Sequence, residues 1–273
     1  MNVVVTGASG FLGSAVVTAL RGAGVPVVPV SRRPGPGITT VDDYSRSPTA
    51  DLLVHTAEEA DRAKVNALGE PYAEGTARTV RELAGRAGHL VYVSSGTVYG
   101  DQSDRAFRTD DPVHATDTYS RAKIRNEQIA LEAGGAVVRP SNLCGPGMSP
   151  HNVLSDILRQ VPGTGPLVVR DDTPVRDFLP VTEAALAVLA VLQLRVHGLF
   201  NVGSGVGVSI RELASLALRV AGQAEREIVA TQRSTRRSMN VLDVTGTRER
   251  VGWAPRATLH ELLDQTNSHG VRP

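Results

Sequence analysis

The stretch "VVVTGASGFLGS", residues 3–14, has the clearest structural pattern in this chain. An apolar, largely β-branched run over residues 1–6 stops at a glycine-rich turn. Apolar residues then recur at helical spacing, at Leu12, Val16, Val17 and Leu20, until Gly22 and Gly24 end the pattern. The stretch therefore predicts a strand, a tight turn and a helix in direct succession.

The turn contains three glycines in the pattern G-x-x-G-x-x-G. Glycines here let the backbone approach a pyrophosphate, and the free N–H groups at the helix N-terminus face the anion. The alternative is that these glycines serve turn geometry alone. Because the turn follows the first strand of an alternating chain, we predict a dinucleotide site. Its contact residues are Gly7, Ser9, Gly10, Phe11, Leu12 and Gly13.

The rest of the chain alternates strand-like and helical segments. Further strands are predicted at 25–30, 51–55, 89–95, 135–140 and 198–203, and helices at 62–68, 74–87, 121–133 and 183–194. This alternation predicts an α/β fold, a Rossmann-type doubly wound parallel sheet with a smaller, discontinuous α/β substrate-binding lobe. We expect the sheet domain at residues 1–142 and 175–205, and the lobe at 143–174 and 206–273.

The composition favours a small molecule as the partner. The 273 residues are 41% hydrophobic, with 29 basic and 28 acidic residues and a net charge of +1. This balance gives no one-signed field for nucleic acid or an anionic membrane. Cys144 is the single cysteine, and the seven histidines show no metal-ligand spacing. We expect a cytoplasmic protein that binds no nucleic acid, no membrane and no metal.

The end of the second predicted strand bears on the choice of cofactor. An acidic residue there would hold the ribose hydroxyls of NAD, whereas this chain has Ser31, Arg32 and Arg33. Arginine matches a 2′-phosphate bidentately, and a carboxylate would repel it. NADP(H) is therefore favoured and NAD(H) is the alternative. Two solvated arginines in a proline-rich loop would explain the same residues without a phosphate.

Lysine occurs only at Lys64 and Lys123 in this arginine-rich chain. Lys123 stands four residues after Tyr119 in a helical stretch, so both side chains project from one helix face. A tyrosine acts as an acid or base near neutral pH when a fixed cation stabilises its phenolate. An ammonium is a compact charge that also reaches a ribose hydroxyl. The pair therefore predicts a proton relay.

Hydroxyl side chains follow the strand predicted at 89–95. Ser94, Ser95 and Thr97 lie where the carboxyl edge of a parallel sheet binds ligands. A hydroxyl at this edge is placed to hydrogen-bond a carbonyl oxygen as it gains negative charge. Capping of exposed backbone at the strand end is the alternative explanation.

Together these residues resemble the extended short-chain dehydrogenase/reductase family, particularly its nucleotide-sugar epimerases, dehydratases and ketoreductases. The matching motifs run in order through nearly the whole chain: "TGASGFLG", "LLVHTA", "VSSGTVYG", "YSRAK", "RPSNLCGPG", "VRDFLPVTEAA", "NVGSG" and "GWAP". Together, they are specific to this family.

The resemblance assigns roles by position. Ser95 matches the catalytic Ser/Thr, Tyr119 the acid/base tyrosine and Lys123 its lysine, and the last two also contact the cofactor. Ala57, in "LLVHTA", is assigned to the cofactor as well. The substrate-binding residues implied by the resemblance are Ser95, Thr97, Asn142, Arg176 and Arg233, with Arg236 and Arg237 as competitors for the role of Arg233.

Some positions depart from the family pattern. Gly96 and Thr97 stand where 4,6-dehydratases carry an Asp-Glu pair, so we do not expect dehydration. Tyr72 replaces a usual asparagine and Cys144 a common tyrosine, which changes the pocket at both points.

The resemblance and the two arginines predict NADPH-dependent reduction of a nucleotide-linked 4-keto-6-deoxyhexose, with dTDP or UDP as the nucleotide. The alternatives are an NAD-dependent nucleotide-sugar 4-epimerase, a reductase of a non-sugar carbonyl, and a redox-sensing binding protein without catalysis. Because relatives pair through a four-helix interface, the resemblance also implies a homodimer.

Overall fold

The computed structural model of this chain describes residues 2–268, and describes side chains as far as Asp264. Met1, at the start of the first predicted strand, and residues 269–273, at the end of the predicted lobe, lie outside the described residues. None of the helices within residues 2–268 combines the length and hydrophobicity of a membrane-spanning helix.

The strands are β1 (Val3–Thr6), β2 (Val27–Ser31), β3 (Thr39–Thr40), β4 (Ala50–His55), β5 (Ala87–Val93), β6 (Ala136–Pro140), β7 (Asn142–Cys144), β8 (Leu167–Val169), β9 (Val175–Pro180), β10 (Gly198–Val202), β11 (Gly207–Ser209), β12 (Ile228–Ala230) and β13 (Met239–Asn240). The helices are α1 (Phe11–Gly22), α2 (Arg62–Leu68), α3 (Glu70–Arg86), α4 (Thr118–Glu132), α5 (Val153–Gln160), α6 (Val181–Gln193), α7 (Ile210–Val220), α8 (Thr245–Val251) and α9 (Leu259–Ser268).

Seven strands form the main sheet, in the order β3-β2-β1-β4-β5-β6-β10, and every neighbouring pair is parallel. From β1 the chain adds β2 and then β3 on one side, and it then crosses over to place β4 on the other side of β1. Parallel neighbours require crossover connections, which here are mostly helices. The predicted Rossmann-type doubly wound fold is confirmed.

Both faces of the main sheet are buried. In β1, Val3 and Val5 join one hydrophobic cluster and Val4 joins another, because alternate side chains point to opposite faces. The first cluster includes residues of α1 and α6, and the second includes residues of α3 and α4. Strands buried on both faces explain the nearly continuous apolar runs in the sequence.

The remaining strands form a smaller unit. In a four-stranded sheet β11 and β13 pair with β9, which β7 also joins, while β8 pairs with β12. A separate core gathers apolar residues of α5, α7, α9, β8 and β9. The strand β9 begins at Val175 and lies in this smaller sheet, whereas α6 directly after it packs on α1. The exact division into two domains stays a prediction.

The helix α4 begins three residues before the predicted start. Asp117 is its N-cap, because its side chain accepts the N–H of Ser120 at 2.9 Å while the Ser120 hydroxyl accepts the N–H of Asp117 at 3.1 Å. This reciprocal cap draws Thr118 and Tyr119 into the first turn. Asn66 adds a second anchor, since its Oδ1 accepts the N–H of Tyr119 at 3.0 Å.

Glycine is required at the first turn for steric reasons. Gly7 has φ +74°, and a Cβ there would lie 2.9 Å from the backbone of Ala57. A Cβ on Gly13 would overlap the carbonyl group of Gly7 and lie 2.7 Å from Thr56 Oγ1. The start of α1 therefore lies directly against the chain that leaves β1 and β4.

We expect Gly13→Ala to lower the free energy of unfolding by about 1–3 kcal/mol, because the backbone of the turn must move to admit the methyl group. Urea unfolding measures the change. The matched control is Gly22→Ala in the same helix, where no atom lies within 4 Å of the added Cβ. Equal stability of the two variants would contradict the steric account of the turn.

Asp117→Ala should cost about 1–2 kcal/mol of unfolding free energy, because the N-cap of α4 is lost. Urea unfolding at neutral pH measures it. Asp110→Ala is the control, since Asp110 is exposed and forms an ion pair with the exposed Arg108, and its effect should stay within about 0.5 kcal/mol.

The loss in Asp117→Ala should depend on pH. Burial opposes the charge of Asp117, but hydrogen bonds from Arg62, Ser120 and Asn66 outweigh burial and lower its pKa. Such a group stabilises the fold fully above its unfolded pKa of about 4 and loses that effect as the pH falls through the folded pKa. The stability difference should hold from about pH 7 to 5 and shrink below about pH 4.

Candidate active site

A cavity of 1280 Å³ follows the carboxyl edge of the main sheet. Its lining comes from the residues at the carboxyl ends of β1, β2, β4, β5 and β6, and from the segment that leads into α5. In an open α/β sheet this edge is where ligands bind, at the point where the strand order reverses. In this sheet the strand order reverses at β1, because β2 lies on one side of it and β4 on the other.

Fifteen of the predicted site residues line this cavity: Gly7, Ser9, Gly10, Phe11, Leu12, Gly13, Ser31, Arg32, Arg33, Ala57, Ser95, Thr97, Tyr119, Lys123 and Asn142. Arg176 and Arg233 are not among the lining residues. The roles of all seventeen residues remain predictions, but the fold brings the first fifteen around one space.

The end of β2 is fixed by hydroxyl groups. Ser31 Oγ lies 2.6 Å from Ser9 Oγ and accepts the N–H of Arg33 at 3.0 Å. The N–H of Arg32 donates to Tyr44 Oη at 3.3 Å, and its guanidinium lies 5.3 Å from the centre of the Tyr44 ring. This network joins the glycine turn to the two arginines.

Three charged residues that the sequence analysis did not name line the same part of the cavity: Asp42, Asp43 and Arg78. Asp43 caps the short turn Tyr44–Arg46, and the N–H of Ser45, 2.9 Å away, lowers its pKa. Arg78 adds a third guanidinium to those of Arg32 and Arg33. This end of the cavity therefore carries the guanidinium groups of Arg32, Arg33 and Arg78 together with the carboxylates of Asp42 and Asp43.

The hydroxyl of Ser95 lies at the end of β5. Ser95 caps the short turn Gly96–Tyr99, accepts the N–H of Thr97 at 3.2 Å and lies 2.9 Å from Thr97 Oγ1. Capping of the backbone is therefore real, as the alternative explanation proposed. Because Thr97 Oγ1 can donate to Ser95, the Ser95 hydrogen is available for a ligand oxygen.

Tyr119 and Lys123 lie one turn apart on α4, and both are largely buried. Lys123 Nζ is 6.0 Å from the centre of the Tyr119 ring and donates to the carbonyl oxygen of Val93 at 3.1 Å. The predicted helix face is confirmed, and the lysine is anchored to the end of β5.

The sequence analysis missed the carboxylate of Glu58, which forms an ion pair with Lys123 at 2.9 Å. Tyr92 Oη donates to both carboxylate oxygens of Glu58, at 2.9 and 3.0 Å, and Asn126 Nδ2 donates at 2.9 Å. His55 Nε2 lies 3.8 Å away. The only signal was a pair of glutamates, in "AEEAD", directly after a strand.

The ion pair sets the charge states around it. Burial opposes the charge of Glu58, but Lys123 and His55 outweigh burial and lower its pKa. Burial likewise opposes the charge of Lys123, but Glu58 outweighs it and raises the lysine pKa. Burial lowers the pKa of His55 to about 4. At neutral pH the pair is therefore charged and the histidine is neutral.

Tyr72 also lines the cavity beside this pair. Its Oη accepts the N–H of Glu59 at 2.8 Å, which leaves the phenol hydrogen as a donor. Burial and the Glu58 charge raise the pKa of Tyr72 to about 12. Tyr72 stands where the family pattern usually has an asparagine, and it thus places a neutral phenol in the cavity.

The arginines that the resemblance assigns to the substrate contact other protein groups in this structure. Arg176 donates to the carbonyl oxygens of Val175 and Ser238, at 2.8 and 3.1 Å, and lies 3.7 Å from Asp101. Arg236 makes two hydrogen bonds to Asp101, at 2.9 and 3.0 Å.

The other two arginines behave similarly. Arg233 donates to Asp172 at 3.1 and 3.2 Å, and Arg237 reaches the carbonyl oxygen of Asp104 at 3.4 Å. Each of the three candidates for the substrate-binding role of Arg233 therefore contacts a protein group in this structure.

The residues of the first turn fit a dinucleotide. Gly7, Gly10 and Gly13 line the cavity at the N-terminus of α1, where the N–H groups of a helix attract an anion. Lys123 has one N–H hydrogen beyond the two that Glu58 and Val93 accept. A ribose hydroxyl is a suitable acceptor for it.

Comparison with known proteins agrees with this geometry. The chain matches the NAD dependent epimerase/dehydratase family over residues 3–203. It is 29% identical to dTDP-6-deoxy-L-talose 4-dehydrogenase (NAD(P)(+)) of Kitasatospora kifunensis, over 96% of this chain and 93% of that protein. It is 28% identical to a UDP-glucose 4-epimerase of Azospirillum brasilense, over 96% of this chain and 89% of that protein.

A solved structure shares the whole architecture. RMD from Pseudomonas aeruginosa, complexed with NADPH, has a TM-score of 0.83 and 26% identity to this chain, over 98% of this chain and 97% of that one. The family match spans β1 to the end of β10 and so includes the glycine turn, Ser95, Tyr119 and Lys123. This chain therefore belongs to the NAD dependent epimerase/dehydratase family, within the extended short-chain dehydrogenases/reductases, and is an NAD(P)-dependent oxidoreductase.

Proposed function

We propose that this enzyme uses NADPH to reduce the keto group of a nucleotide-linked 4-keto-6-deoxyhexose. The observation that carries the proposal is one cavity that holds Arg32 and Arg33 at one end and Ser95, Tyr119 and Lys123 further along the same sheet edge. This arrangement offers cations for a 2′-phosphate and a proton donor for a carbonyl oxygen.

Each catalytic side chain has a separate task. NADPH, when bound, supplies the hydride that adds to the keto carbon. Tyr119 Oη gives its proton to the resulting oxyanion, and the Ser95 hydroxyl hydrogen-bonds that oxygen as its negative charge develops. Lys123 holds a ribose hydroxyl with its remaining N–H and orients the cofactor for transfer.

The names of relatives support the substrate class. A 4-dehydrogenase of a dTDP-6-deoxysugar, which is named for NAD or NADP, catalyses the reverse of a 4-keto reduction. Gly96 and Thr97 stand where the dehydratases have their acid pair, and Thr97 lies against Ser95. We therefore favour reduction over dehydration, with a dTDP- or UDP-linked sugar as the substrate.

Tyr119→Phe should lower kcat at least about a hundredfold, because the proton donor is lost. The dissociation constant for NADPH should change less than about threefold, since the ring and Lys123 remain. Steady-state reduction of a dTDP-4-keto-6-deoxyhexose and fluorescence titration with NADPH measure the two quantities. Turnover close to that of the wild type would contradict the assignment of Tyr119 as the proton donor.

Replacing Arg32 and Arg33 together by alanine should weaken NADPH binding about tenfold or more and leave NADH binding within about threefold, because only NADPH carries the 2′-phosphate. Titration of both cofactors into apo protein tests this. Arg219→Ala, on the exposed side of α7, is the control and should alter neither affinity. Equal weakening of both cofactors would reject a phosphate role for the two arginines.

A nucleotide-sugar 4-epimerase is the second candidate, because one relative is a UDP-glucose 4-epimerase. Cofactor released by denaturing freshly purified protein distinguishes the two: tightly held NAD favours the epimerase, and empty protein favours the reductase. Reduction of a non-sugar ketone is the third candidate, since Arg176 and Arg233 do not line the cavity. Failure of dTDP and UDP to bind would support it.

We also propose a homodimer that forms through α3 and α4, which pack side by side on one face of the sheet. A sedimentation mass equal to one chain would reject it. We also propose a cytoplasmic location, because the single cysteine, Cys144, is buried and unpaired, as suits a reducing compartment.

A further inference from the structure

Tyr72 lies in the first turn of α3 and lines the cavity, yet the proposed reaction gives it no task. The family pattern usually has an asparagine at this position. The residue is partly buried, and its Oη accepts the N–H of Glu59 at 2.8 Å. A phenol also has one hydrogen of its own to donate, and this contact does not use it.

The five tyrosines of the chain differ in what happens to that hydrogen. Tyr92 and Tyr99 are not among the lining residues of the cavity, and their hydroxyls donate to side-chain oxygens of the protein at 2.8–3.0 Å. Tyr44, Tyr72 and Tyr119 line the cavity, and their hydroxyl hydrogens have no acceptor among the side chains and backbone that the structure describes. Polar groups in folded proteins normally have partners, so unused donors around a cavity indicate acceptors on a bound ligand.

Neighbouring contacts fix the position of the Tyr72 hydroxyl along the cavity. Because it accepts the N–H of Glu59, it lies beside the segment that follows β4. That segment also contains Ala57, whose backbone lies against Gly7 of the glycine turn. The ammonium of Lys123 is close enough that it and the phenol each affect the pKa of the other. The hydroxyl therefore lies in the part of the cavity that joins the glycine turn to Lys123.

We propose that Tyr72 is a cofactor-binding residue whose hydroxyl donates a hydrogen bond to a ribose hydroxyl oxygen in the nicotinamide half of the dinucleotide. The glycine turn suits the pyrophosphate, and Lys123 has one N–H beyond those that Glu58 and Val93 accept, which suits a ribose hydroxyl. A ligand that spans these two points passes Tyr72. The inference rests on the use of a nicotinamide cofactor, which is part of the proposed function, and not on the keto-sugar substrate.

The charges around Tyr72 favour a ribose hydroxyl over a phosphate as the acceptor. Burial and the Glu58 charge raise the pKa of Tyr72 to about 12, so the phenol is a neutral donor at physiological pH. Glu58 and Glu59, each paired with a lysine, add two carboxylates to the lining of the cavity. Carboxylates repel a phosphate, whereas a ribose hydroxyl is neutral. The nicotinamide ribose is therefore the better partner for the phenol.

The test is Tyr72→Phe, studied as the full chain after removal of any bound cofactor. Calorimetric titration with NADPH, NADH and 2′,5′-ADP measures three dissociation constants. We expect those for NADPH and NADH to rise about five- to tenfold, because one hydrogen bond is lost. The constant for 2′,5′-ADP should change less than about twofold, since this fragment lacks the nicotinamide half. Equal weakening of all three ligands, or of none, would overturn the proposal.

Thr76→Val is the matched control. Thr76 lies one turn further along α3 and lines the same cavity, but its Oγ1 donates to the carbonyl oxygen of Ala73 at 3.1 Å. Its hydrogen is therefore already in use, and the three dissociation constants should stay within about twofold of those of the wild type. A loss equal to that of Tyr72→Phe would mean that any hydroxyl on this helix face has the effect, and would refute a specific role for Tyr72.

Tyr72→Phe also removes the acceptor for the N–H of Glu59, so a second variant separates the two effects. Replacing Tyr72 by 4-aminophenylalanine keeps an N–H donor at the same place but supplies only a weak acceptor. We expect this variant to bind NADPH within about threefold of the wild type, because the donor is retained. Affinity as low as that of Tyr72→Phe would attribute the loss to the segment at Glu59 and overturn the proposal.

Failure of the proposed function would give a different pattern. If the wild type binds NADH and not NADPH, the NADPH preference fails, and Tyr72→Phe is then compared with the wild type for NADH and ADP. If the wild type binds both cofactors but does not reduce a 4-keto sugar, the substrate assignment fails. The role of Tyr72 is decided in each case by the dissociation constants, which need no substrate.

Discussion

The close approach between the start of α1 and the ends of β1 and β4 is the constraint on which the rest of the structure depends. Gly7 and Gly13 have no space for a Cβ, so this contact exists only with glycine at both positions. The contact directs the N-terminus of α1 at the cavity. Because β4 and then β5 lie on the same side of β1, their carboxyl ends bring Glu58 and Ser95 to the same edge.

The helix α4 supplies the other half of the site and is held at several points. Asp117 caps it, Asn66 anchors Tyr119, and Lys123 is tied to both Glu58 and the end of β5. Removing one partner of a buried ion pair strongly destabilises the fold, because the other partner is left as an uncompensated buried charge. The lysine is therefore part of the packing of the fold as well as part of the proton relay, and its charge belongs to a pair.

Much of the fold was predictable because its main strands are buried on both faces and its helices have clear apolar periodicity. The predicted strands and helices of the main sheet are all present, and α2 has the predicted bounds. The start of α4 was predicted too late, because the cap by Asp117 extends the helix beyond its apolar pattern. Strands of two or three residues, such as β7 and β13, have no pattern of their own and form only because β9 lies beside them.

The sequence alone determined the parallel α/β architecture, the glycine turn and the helix face shared by Tyr119 and Lys123, since each follows from local spacing. Only the tertiary structure decided which carboxylate meets the lysine. Glu58 and Glu59 are adjacent and give the same local signal, yet Glu58 is enclosed by β5 and α4 while Glu59 pairs with Lys64 near the surface. The tertiary structure likewise decided that Arg176 and Arg236 lie against Asp101. The physical reason is that ion pairs and burial depend on which distant segments pack together, and residue spacing along the chain does not contain that information.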